Sequence, residues 1–561
     1  MPSPASASAA HTVYASYSDL AYAPAINALL SGSAWGSWYS TNNTLEISYS
    51  FPWTTNSTAV FSGYKGSNYS TENQNTAAQK FGLDSKQIAA ARLALQAWAE
   101  VANIRFNEIN ETSSSVGDIR IAFTSSIASG SWGGAYPPDS YWPYGGDVWI
   151  SSRYASSSDW SIGSYNFEAL MHEIGHALGL KHPFEGSTTL AAKLDDRAHT
   201  IMSYTDPANS LFLRVTTTDS GHSYEAFNVS PETPMLYDIA AIQYIYGANT
   251  SFQTGDDTYT FATNDPFYKT LWDAGGDDTI SVFNFTKACT IDLNPGHFSS
   301  ITIESDSSSG INWQNTPPTP TYTGSDNLAI AYNCWIENAM GGSGNDTLIG
   351  NALANRLEGG AGDDNLYGNE GNDLLVPGTG NNYLNGGDGI DRCLLTSSRD
   401  NYHLNWSGST LNVQNMQTTT TTDQLVAVER LSFSDISLAF DLDDHAGKVL
   451  KLISAVFGKQ AINNPKYVGI GLNLIDSGTD YTDLAAYALQ AYGANNNDLI
   501  VTTLWNNVMH TLPTSADKAP YIAMLEQGAS AGTLGILAAD SSYNINQINL
   551  LGLSQSGIEY L

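Results

Sequence analysis

Basic residues and long apolar runs are scarce in this chain of 561 residues. Its 22 Lys and Arg residues stand against 55 Asp and Glu residues, which gives a formal net charge of −33. Because such a chain repels phosphate groups, nucleic acid and anionic membranes are poor partners for it. No apolar run approaches the roughly 20 residues of a membrane-spanning helix, so we expect no membrane span. Solvation or multivalent cations must offset the repulsion among the acidic groups.

Cysteine is also scarce. Cys289, Cys334 and Cys393 are odd in number and far apart, which implies no disulfide framework and favours small buried side chains. The N-terminus, MPSPASASAAHTVY, lacks the basic start and the apolar stretch of a Sec signal peptide. These two observations alone favour a cytosolic protein, an expectation that a repeat further along reverses. Residues 1–12 are rich in Pro, Ala and Ser and are predicted to be disordered.

The most informative segment that is present reads HEIGHALGLKHP and has the spacing H-E-x-x-H-x-x-G-x-x-H. On a helix His172 and His176 share one face and can reach the same ion, while Glu173 is rotated away and can hold a water beside it. Gly179 lets the chain leave the helix and turn back, which brings His182 in as a third nitrogen ligand. Three ligands and one open position indicate a catalytic rather than a structural zinc. The alternative, a helix with chance polar residues, is disfavoured by five matched positions.

A second segment, Thr-Ile-Met-Ser-Tyr at residues 200–204, follows the first at a short distance. A tight turn bearing Met after an extended zinc motif is the metzincin signature. Taken alone, Met202 would be an ordinary core residue, because Met fills gaps in many cores. Its place after the third histidine gives it the structural role expected of that turn.

Together these segments resemble the serralysin family, the secreted zinc metalloproteases of bacteria. The resemblance is carried by His172, Glu173, His176, Gly179, His182 and Pro183, by Ile201, Met202, Ser203 and Tyr204, and by the segment 234–243, which is similar to the helix that closes the family's catalytic domain. It implies an α+β metzincin domain with one catalytic zinc. It also implies that Tyr204 approaches the zinc as a further ligand, swings away when substrate binds and helps to stabilise the transition state.

A nine-residue period runs from Gly341 to Leu394, in units such as GGSGNDTLI and GGAGDDNLY. This is the nonapeptide G-G-x-G-x-D-x-U-x of calcium-binding parallel β-rolls, known as the RTX repeat. Its glycines permit tight turns and expose carbonyls, its sixth position supplies a carboxylate, and its eighth position points an aliphatic side chain inward. The alternative, a flexible glycine-rich linker, would not keep an inward Leu every nine residues.

Calcium takes six to eight oxygen ligands, which the carbonyls and carboxylates of such turns supply. In rolls of this family the ion lies between turns on one side, so carboxylates two repeats apart act together. We therefore expect Asp346 to act with Asp364, and Asp373 with Asp391. The predicted calcium residues of the repeats are Asp346, Asp364, Asp373, Asp391, Gly341, Gly342, Gly344, Gly359, Gly360 and Gly362.

Two sixth positions depart from the repeat, because Asn355 and Asn382 stand where a carboxylate is expected. Their sites should be weaker or empty. Two Gly-Asp-Asp turns upstream resemble calcium turns that flank the roll in serralysins, and they add Asp256 and Asp278 to the predicted calcium residues. Ordinary Asp-rich turns remain an alternative for these two.

The repeat also bears on location, because calcium is plentiful outside cells and scarce in bacterial cytosol. Without calcium the carboxylates repel one another, and the roll should stay disordered. Chains with this repeat and no N-terminal signal resemble cargo of the bacterial type I secretion machinery, which reads a C-terminal signal. We therefore expect a secreted, extracellular protein that is exported without a signal peptide.

The chain is long enough for several domains, and a change of pattern after Asp444 marks the last one. There glycine becomes sparser, helical periodicity appears, and the stretches 472–478 and 522–528 echo each other. This part resembles a helical module at the C-termini of other type-I-exported proteins, and it departs from the usual serralysin. The predicted multi-domain order is a disordered N-terminus (1–12), an α+β metzincin catalytic domain (13–246), a β-rich domain that includes the parallel roll (247–394, with nonapeptides at 341–394), a β extension (395–443) and an all-α domain of two similar halves (444–561).

The expected function is hydrolysis of peptide bonds in extracellular proteins, with Glu173 moving the proton and one zinc and several calcium ions as cofactors. Two alternatives remain. The first is a specialised processing protease of a surface or S-layer protein, for which the helical domain would serve as a docking device. The second is a calcium-dependent adhesion protein with a relic protease domain, although a relic would have no need of Glu173.

Overall fold

The chain forms two compact units in the computed structural model. The first comprises residues 1–282 and 289–336, and the second comprises residues 283–288 and 337–561. The structure describes residues 3–4, 10–14, 22–36, 44–54, 59–61, 69–139, 143–219, 221–417 and 421–561. Within these ranges, no helix is both long enough and apolar enough to cross a membrane.

The first unit combines helices with several sheets. Its helices are α1 (Ala23–Leu29), α2 (Ser85–Val101), α3 (Tyr165–Ala177) and α4 (Leu236–Tyr246). Its strands are β1 (Ser3–Pro4), β2 (Ala10–Thr12), β3 (Ser33–Trp35), β4 (Leu45–Ser50), β5 (Lys80–Phe81), β6 (Ile104–Glu108), β7 (Ser115–Val116), β8 (Ile119–Thr124), β9 (Gly133–Ala135), β10 (Val148–Ser151), β11 (Leu211–Thr218), β12 (Gly221–Asn228), β13 (Thr258–Thr260), β14 (Lys269–Leu271), β15 (Thr279–Ser281), β16 (Thr290–Asp292), β17 (Phe298–Ser299) and β18 (Leu328–Ile330).

The main sheet of this unit has the strand order β6-β4-β8-β10-β9, and β5 also pairs with β8. Strands β4, β6, β8 and β10 are parallel, whereas the edge strand β9 runs antiparallel to β10. Every residue of β8 and β10 is buried, as expected of central parallel strands with both faces covered. Helices α2 and α3 pack against each other, and Trp98 of α2 donates its indole N–H to Met171 O of α3 at 3.1 Å. An α+β domain is therefore present, as the sequence predicts.

Local sequence explains where α2 begins. Asp84 is its N-cap, and one carboxylate oxygen accepts the N–H groups of Lys86 and Gln87 at 2.9 Å. The Gln87 side chain in turn accepts the N–H of Asp84 at 2.8 Å, which completes a capping box. These bonds satisfy amide groups that the first turn of a helix otherwise leaves without partners.

The N-terminus differs from its prediction. Residues 10–12 form β2, which pairs antiparallel with β3, and residues 3–4 form β1, which pairs parallel with β7. Disorder is therefore wrong for these five residues, because backbone pairing with distant strands outweighs their weak local pattern. The rest of the segment 1–12 lies outside the described residues. The boundary expected after Tyr246 also differs, because residues 247–282 and 289–336 belong to the same compact unit as the zinc motif.

The second unit contains the repeat and the helical region. Its strands are β19 (Asn338–Met340), β20 (Thr347–Ile349), β21 (Arg356–Glu358), β22 (Asn365–Glu370), β23 (Leu374–Val376), β24 (Tyr383–Asp388), β25 (Arg392–Leu394), β26 (Tyr402–Ser407), β27 (Thr410–Asn415), β28 (Thr422–Val426), β29 (Arg430–Ser432), β30 (Ser437–Ala439) and β31 (Ile558–Tyr560). Its helices are α5 (His445–Phe457), α6 (Pro465–Asp476), α7 (Tyr481–Tyr492), α8 (Asn497–Met509), α9 (Ser515–Glu526), α10 (Ala531–Ala539), α11 (Ser542–Ile548) and α12 (Leu550–Ser556).

Successive strands of the repeat alternate between two sheets and pair in parallel within each sheet. The strands of the second unit have the order β19-β21-β23-β25-β29-β30-β31 in one sheet and β20-β22-β24-β28-β27-β26 in the other. In these sheets β26, β27, β30 and β31 pair antiparallel. Strands in one sheet align 18 residues apart, for example Leu366 with Leu384. The eighth-position side chains are all fully buried between the sheets: Leu348, Leu357, Leu366, Leu375, Leu384 and Cys393. The nonapeptides therefore form the β-roll that their period predicts.

The helical region packs around α5, which contacts α6, α7, α8, α10 and α11. Two helix–turn–helix segments within it share one turn geometry. Gly478 after α6 has φ +87° and Gly528 after α9 has φ +102°, and each glycine N–H bonds a carbonyl three residues earlier. The prediction of an all-α domain is wrong for the last residues, because Ile558–Tyr560 form β31 and pair with β30. The helices also share one compact unit with the roll.

Candidate metal centre and active-site cleft

Helix α3 carries the first two histidines of the motif. Ser164 caps its N-terminus by accepting the N–H of Phe167 at 3.3 Å, and Phe167, Leu170 and Ile174 bury one face. The helix ends at Ala177, close to the end predicted from the motif. This packing holds the opposite face, with its imidazoles, in a defined orientation.

Three imidazoles converge at one point. The Nε2 atom of His182 lies 3.2 Å from His172 Nε2 and 3.0 Å from His176 Nε2. Each Nδ1 atom faces an acceptor outside the group: Ile201 O at 2.7 Å for His172, Leu180 O at 2.9 Å for His176 and Glu185 Oε1 at 2.8 Å for His182.

These contacts determine where the protons lie. A carbonyl can only accept, so the Nδ1 atoms of His172 and His176 carry the hydrogens, and their Nε2 lone pairs point at one another. Burial also lowers the pKa of His172 well below its usual value and that of His176 to about 4, so both rings are neutral at pH 7. Converging ring nitrogens whose outer nitrogens are held by acceptors fit a zinc-type cation.

Gly179 lets the third histidine reach the other two. Its φ is +107°, in the left-handed region that favours glycine, and an added Cβ would lie 2.3 Å from Ser33 O. The chain then turns back, because Leu180 N–H bonds Gly175 O at 2.9 Å and Lys181 N–H bonds Leu29 O at 2.8 Å. The turn predicted from the motif is therefore held by the segment around β3 as well as by the helix.

Glu173 lies beside the imidazoles in a buried position. Its Oε2 atom has no hydrogen-bond partner among the described residues, and burial raises the pKa of the carboxyl to about 8. Gly133 of the edge strand β9 lies against it, since an added Cβ there would be 3.1 Å from Glu173 Oε1. A cation held by the three imidazoles favours the ionised form of this carboxyl. Its uncommitted oxygen can then accept a proton from a water held at the metal.

The predicted Met turn lies directly under α3. Met202 is fully buried, and a Cβ on Gly175 of the helix would approach its sulfur to 2.8 Å, so a larger residue there would displace the Met202 side chain. Tyr204 stacks on His172 at 5.6 Å between ring centroids and lies 4.5 Å from the ring of His182. Its partial desolvation and the charge of Glu173 raise the pKa of the phenol to about 12, so it is protonated at neutral pH.

Asp238 of α4 holds this turn and was missed by the motif search. Its carboxylate accepts the hydroxyl of Thr200 at 2.5 Å and the N–H groups of Ile201 and Met235 at 2.8 Å. Because Ile201 O receives the Nδ1–H of His172, Asp238 fixes the orientation of a predicted metal ligand. The only signal was its position within the segment 234–243.

A cleft of about 210 Å³ opens beside His172 and Glu173. Its lower wall includes Arg197, which donates to both carboxylate oxygens of Glu168 at 3.0 and 3.2 Å and also pairs with Asp206. Burial raises the pKa of Glu168, and the Arg197 charge opposes that shift. No local sequence pattern predicts this network of Arg197, Glu168 and Asp206, because its members come from α3 and from the loop that follows the third histidine.

In the roll, the predicted carboxylates form two ladders. Asp364 Oδ1 accepts the N–H of Asp346, and Asp391 Oδ1 accepts the N–H of Asp373, each at 2.8 Å. The structure therefore places the expected pairs on adjacent coils. The second oxygens of Asp364, Asp373 and Asp391 are buried without a hydrogen-bond partner, and burial raises the pKa of these carboxyls to about 6, 6 and 7. Such oxygens fit a bound cation.

At one departure from the repeat, the side-chain amide of Asn355 makes hydrogen bonds where a cation would otherwise be expected. Asn355 Nδ2 donates to Glu337 O at 2.9 Å and to Asn351 Oδ1 at 3.0 Å. The amide hydrogens thus occupy oxygens that would otherwise face an ion, which fits the expectation of a weak or empty site.

The predicted glycines of the repeat lie where coils stack. A Cβ on Gly360 would be 2.3 Å from Gly342 O, and one on Gly362 would be 2.1 Å from Gly344 O. A Cβ on Gly341 would lie 2.2 Å from Gly359 O and 2.8 Å from Asp346 Oδ2. A Cβ on Gly359 would lie 2.6 Å from Asp364 Oδ2 and 2.7 Å from Pro377 O. The carbonyl oxygen of Gly359 therefore lies on the same side of its turn as the Asp346 carboxylate, and that of Pro377 on the same side as the Asp364 carboxylate, where calcium ligands are expected.

The upstream acidic turns hold a different set of residues from the predicted one. Asp257, Asp273 and Asp278 bring carboxylate oxygens within 4.8 Å of one another. Asp278 was predicted, whereas Asp256 lies outside this group, is exposed and accepts the N–H of Asp277 at 3.1 Å. In a Gly-Asp-Asp turn the two carboxylates point in different directions, and Asp273 joins from another turn.

Three family patterns match the chain. Residues 67–207 match matrixin, residues 157–262 match a Met-zincin family, and residues 340–375 and 376–393 match the RTX calcium-binding nonapeptide repeat. Among curated proteins, serralysin of Proteus mirabilis is 30% identical over 57% of this chain and 62% of its own. Serralysin of Photorhabdus luminescens is 35% identical over 48% and 53%, and metallopeptidase AprA of Pseudomonas marginalis is 32% identical over 48% and 55%. The chain thus spans 53–62% of these relatives' length.

Proposed function

We propose that this chain, which matches the matrixin, Met-zincin and RTX-repeat patterns and is similar to serralysins, is a secreted zinc endopeptidase that hydrolyses peptide bonds of extracellular proteins. The observation that carries this proposal is the convergence of three imidazole lone pairs beside a buried carboxyl with one uncommitted oxygen. Both features face a cleft large enough for a side chain.

The residues divide the chemistry between them. His172, His176 and His182 would hold the zinc, with Tyr204 beside them. Zinc bound there supplies Lewis-acid chemistry and lowers the pKa of a coordinated water towards neutrality. Glu173 Oε2 accepts the proton of the attacking water and passes it to the leaving amine. The Tyr204 hydroxyl, which keeps its proton, donates to the oxygen that gains charge.

The edge strand β9 gives the substrate a place to bind. It pairs with β10 on one side and ends the strand order of its sheet in the described part of the chain. An extended peptide can add to such an edge through main-chain hydrogen bonds. Gly133 and Gly134 carry no side chain that would keep the peptide backbone away from Glu173.

The roll takes no part in the chemistry. Its buried carboxylates repel one another in the absence of calcium, so it supports export in an unfolded state followed by folding outside the cell. We include signal-peptide-independent export by type I secretion machinery in the proposal on that ground. The net charge of −33 is consistent with a chain that folds when calcium becomes available.

Glu173→Gln tests the mechanism. The variant keeps its histidines and should bind one zinc as the parent does, because the glutamate is not a ligand. Casein hydrolysis should fall roughly 100- to 10,000-fold, which is the usual contribution of a general base. Glu225→Gln, on the exposed surface of the β11–β12 hairpin, is the matched control and should leave hydrolysis unchanged. Parent-like hydrolysis by zinc-loaded Glu173→Gln would overturn the mechanism.

A specialised processing protease is the second candidate. It is favoured by the helices at residues 445–556, which lie outside every matched family pattern and offer a docking surface for a surface protein. A peptide-library digest separates the two: a broad cleavage profile supports a general protease, and a narrow one supports a processing enzyme. Calcium binding without any Glu173-dependent cleavage would instead favour the adhesion protein.

A further inference from the structure

The roll continues beyond its recognisable repeats. Strands β28 and β29 extend the two sheets, pairing Leu425 with Leu384 and Leu431 with Cys393. Like the eighth-position residues, Leu425 and Leu431 are buried. The β26–β27 hairpin is inserted before this last coil, so the nonapeptide period does not predict it. The family match to the repeat ends at residue 393.

Two carboxylates of this coil take the places of sixth-position residues. Glu429 Oε2 accepts the N–H of Asp391 at 2.9 Å, as Asp391 Oδ1 accepts the N–H of Asp373 at 2.8 Å. On the other side, Asp423 Oδ1 accepts the N–H of Asn382 at 3.1 Å. The separations are 38 and 41 residues, so the turn that ends in Glu429 is three residues shorter than a repeat turn.

The ligand geometry of the repeats recurs at this turn. A Cβ on Gly368 would lie 2.0 Å from Asp373 Oδ2 and 2.3 Å from the carbonyl oxygen of Gly386, one coil further on. A Cβ on Gly386 would lie 2.3 Å from Asp391 Oδ2 and 2.1 Å from the carbonyl oxygen of Ala427. Ala427 has φ +48°, so the shortened turn enters the left-handed region one position earlier than the last repeat, which does so at Gly387 and Gly389. Asp391 is fully buried, and its Oδ2 atom has no hydrogen-bond partner in the described chain.

We propose that a further calcium ion binds outside the repeats, between the turn Gly386–Asp391 and the segment 427–429. Its ligands are Asp391 Oδ2, the carbonyl oxygen of Ala427 and the carboxylate of Glu429, with carbonyls of the glycine turn. Two carboxylates and several neutral oxygens form the hard donor set that calcium takes. The ion also relieves the repulsion between two carboxylates held on adjacent coils.

The opposite side of the same coil lacks these properties. There Asn382 stands in the sixth position, and its Nδ2 atom donates to Asp423 Oδ1 at 2.8 Å. The amide group thus occupies the Asp423 carboxylate, as the Asn355 amide occupies its neighbours. The further site is therefore confined to the side of Glu429.

Calcium at this site would hold the strand that anchors the helical region. Arg430 follows Glu429 directly, is fully buried and pairs with Asp441, whose other oxygen accepts the N–H of Ala446 in α5 at 3.0 Å. Order in residues 427–432 is thereby coupled to the start of α5.

Glu429→Gln in the full-length chain tests the proposal. Calorimetric titration of calcium-depleted protein should give one fewer ion per chain for the variant than for the parent. Hydrogen exchange of residues 427–432 should lose its calcium-dependent protection, whereas residues 341–376 keep theirs. Glu526→Gln is the matched control, because Glu526 is exposed, lies outside the roll and should leave the stoichiometry unchanged. An unchanged ion count and unchanged affinities in Glu429→Gln would overturn the site.

Crystals of the parent chain grown with calcium give a second measurement that does not depend on folding of the variant. Anomalous difference density between Asp391 Oδ2 and Ala427 O is expected, and its absence beside occupied repeat sites would refute the proposal. Neither experiment uses proteolysis, so a failure of this proposal is separate from a failure of the proposed enzyme activity.

Discussion

At the scale of single residues, buried carboxyls differ according to the groups that surround them. Glu173 has one oxygen without a partner beside three imidazoles, which suits proton transfer. Asp147 lies in the core of the main sheet, where Tyr69 donates to it, and burial raises its pKa to about 7 although the Arg120 charge opposes the shift. The motif reveals the role of the glutamate. The state of Asp147 depends on residues distant in sequence and could not be predicted.

Asp147 should make the stability of the first unit depend on pH. Its pKa in the folded state, about 7, lies above the value of about 3.9 in the unfolded chain. The protonated group therefore favours folding below about pH 4, and this contribution is lost as pH rises towards 7. We expect the free energy of unfolding of the parent, relative to Asp147→Asn, to decrease between pH 5 and pH 7.

Urea denaturation of both proteins at saturating calcium measures this difference. Asp265→Asn, on an exposed loop, is the control and should follow the parent at every pH. If the free energy of unfolding changed with pH at the same slope in the parent and in Asp147→Asn, the Asp147 carboxyl would be ionised over the whole pH range.

At the scale of elements, the metal centre depends on contacts between α3, the Met turn and α4. The spacing of the histidines predicts the helix and its ligands because one turn of helix brings residues 172 and 176 together. The support from α4 could not be predicted in the same way, since Asp238 is 37 residues from the amide that it accepts. Likewise, Arg197 and Glu168 are 29 residues apart and meet only after the chain folds.

Asp238→Ala should loosen the Met turn. It leaves the hydroxyl of Thr200 and the N–H groups of Ile201 and Met235 without their acceptor in a buried position. An unsatisfied buried donor costs about 1–3 kcal/mol, so the unfolding free energy of the first unit should fall by about 3 kcal/mol or more. Zinc affinity should also fall roughly 10- to 100-fold, because Ile201 O orients His172.

Thermal unfolding and competition with a zinc chelator measure these two effects. Asp238→Asn keeps one acceptor oxygen and should recover part of both losses. Parent-like zinc affinity in Asp238→Ala would mean that His172 is oriented without the turn.

At the scale of the whole molecule, we propose that the zinc site lies in the first unit and that most of the calcium sites lie in the second. The carboxyls of Asp364, Asp373 and Asp391 are buried where the coils of the roll stack. Their raised pKa values reflect the free-energy cost of ionising a buried carboxyl. In the first unit the three histidines proposed as zinc ligands lie on elements that pack through an ordinary apolar core. Calcium should therefore control the second unit more strongly than the first.

Removal of calcium should unfold residues 341–394 before the zinc domain. In calcium-free buffer supplied with zinc, hydrogen exchange should become fast across the roll, whereas α2 and α3 remain protected. Far-ultraviolet circular dichroism should lose strand signal over the same titration, and added calcium should restore it. Equal protection of the roll with and without calcium would refute the dependence.

Sequence alone determined the features whose partners are close along the chain or repeat at a fixed period. The three histidines, the capping box at Asp84 and the inward side chain of each nonapeptide are of this kind, because local backbone geometry places such residues in register. Tertiary structure decided the rest: the strands at the N-terminus, the acid group of Asp257, Asp273 and Asp278, the support from Asp238, and the last coil that ends in Glu429. These depend on residues that meet across long stretches of chain, where an inserted hairpin or a shortened turn removes the period while pairing and burial preserve the geometry.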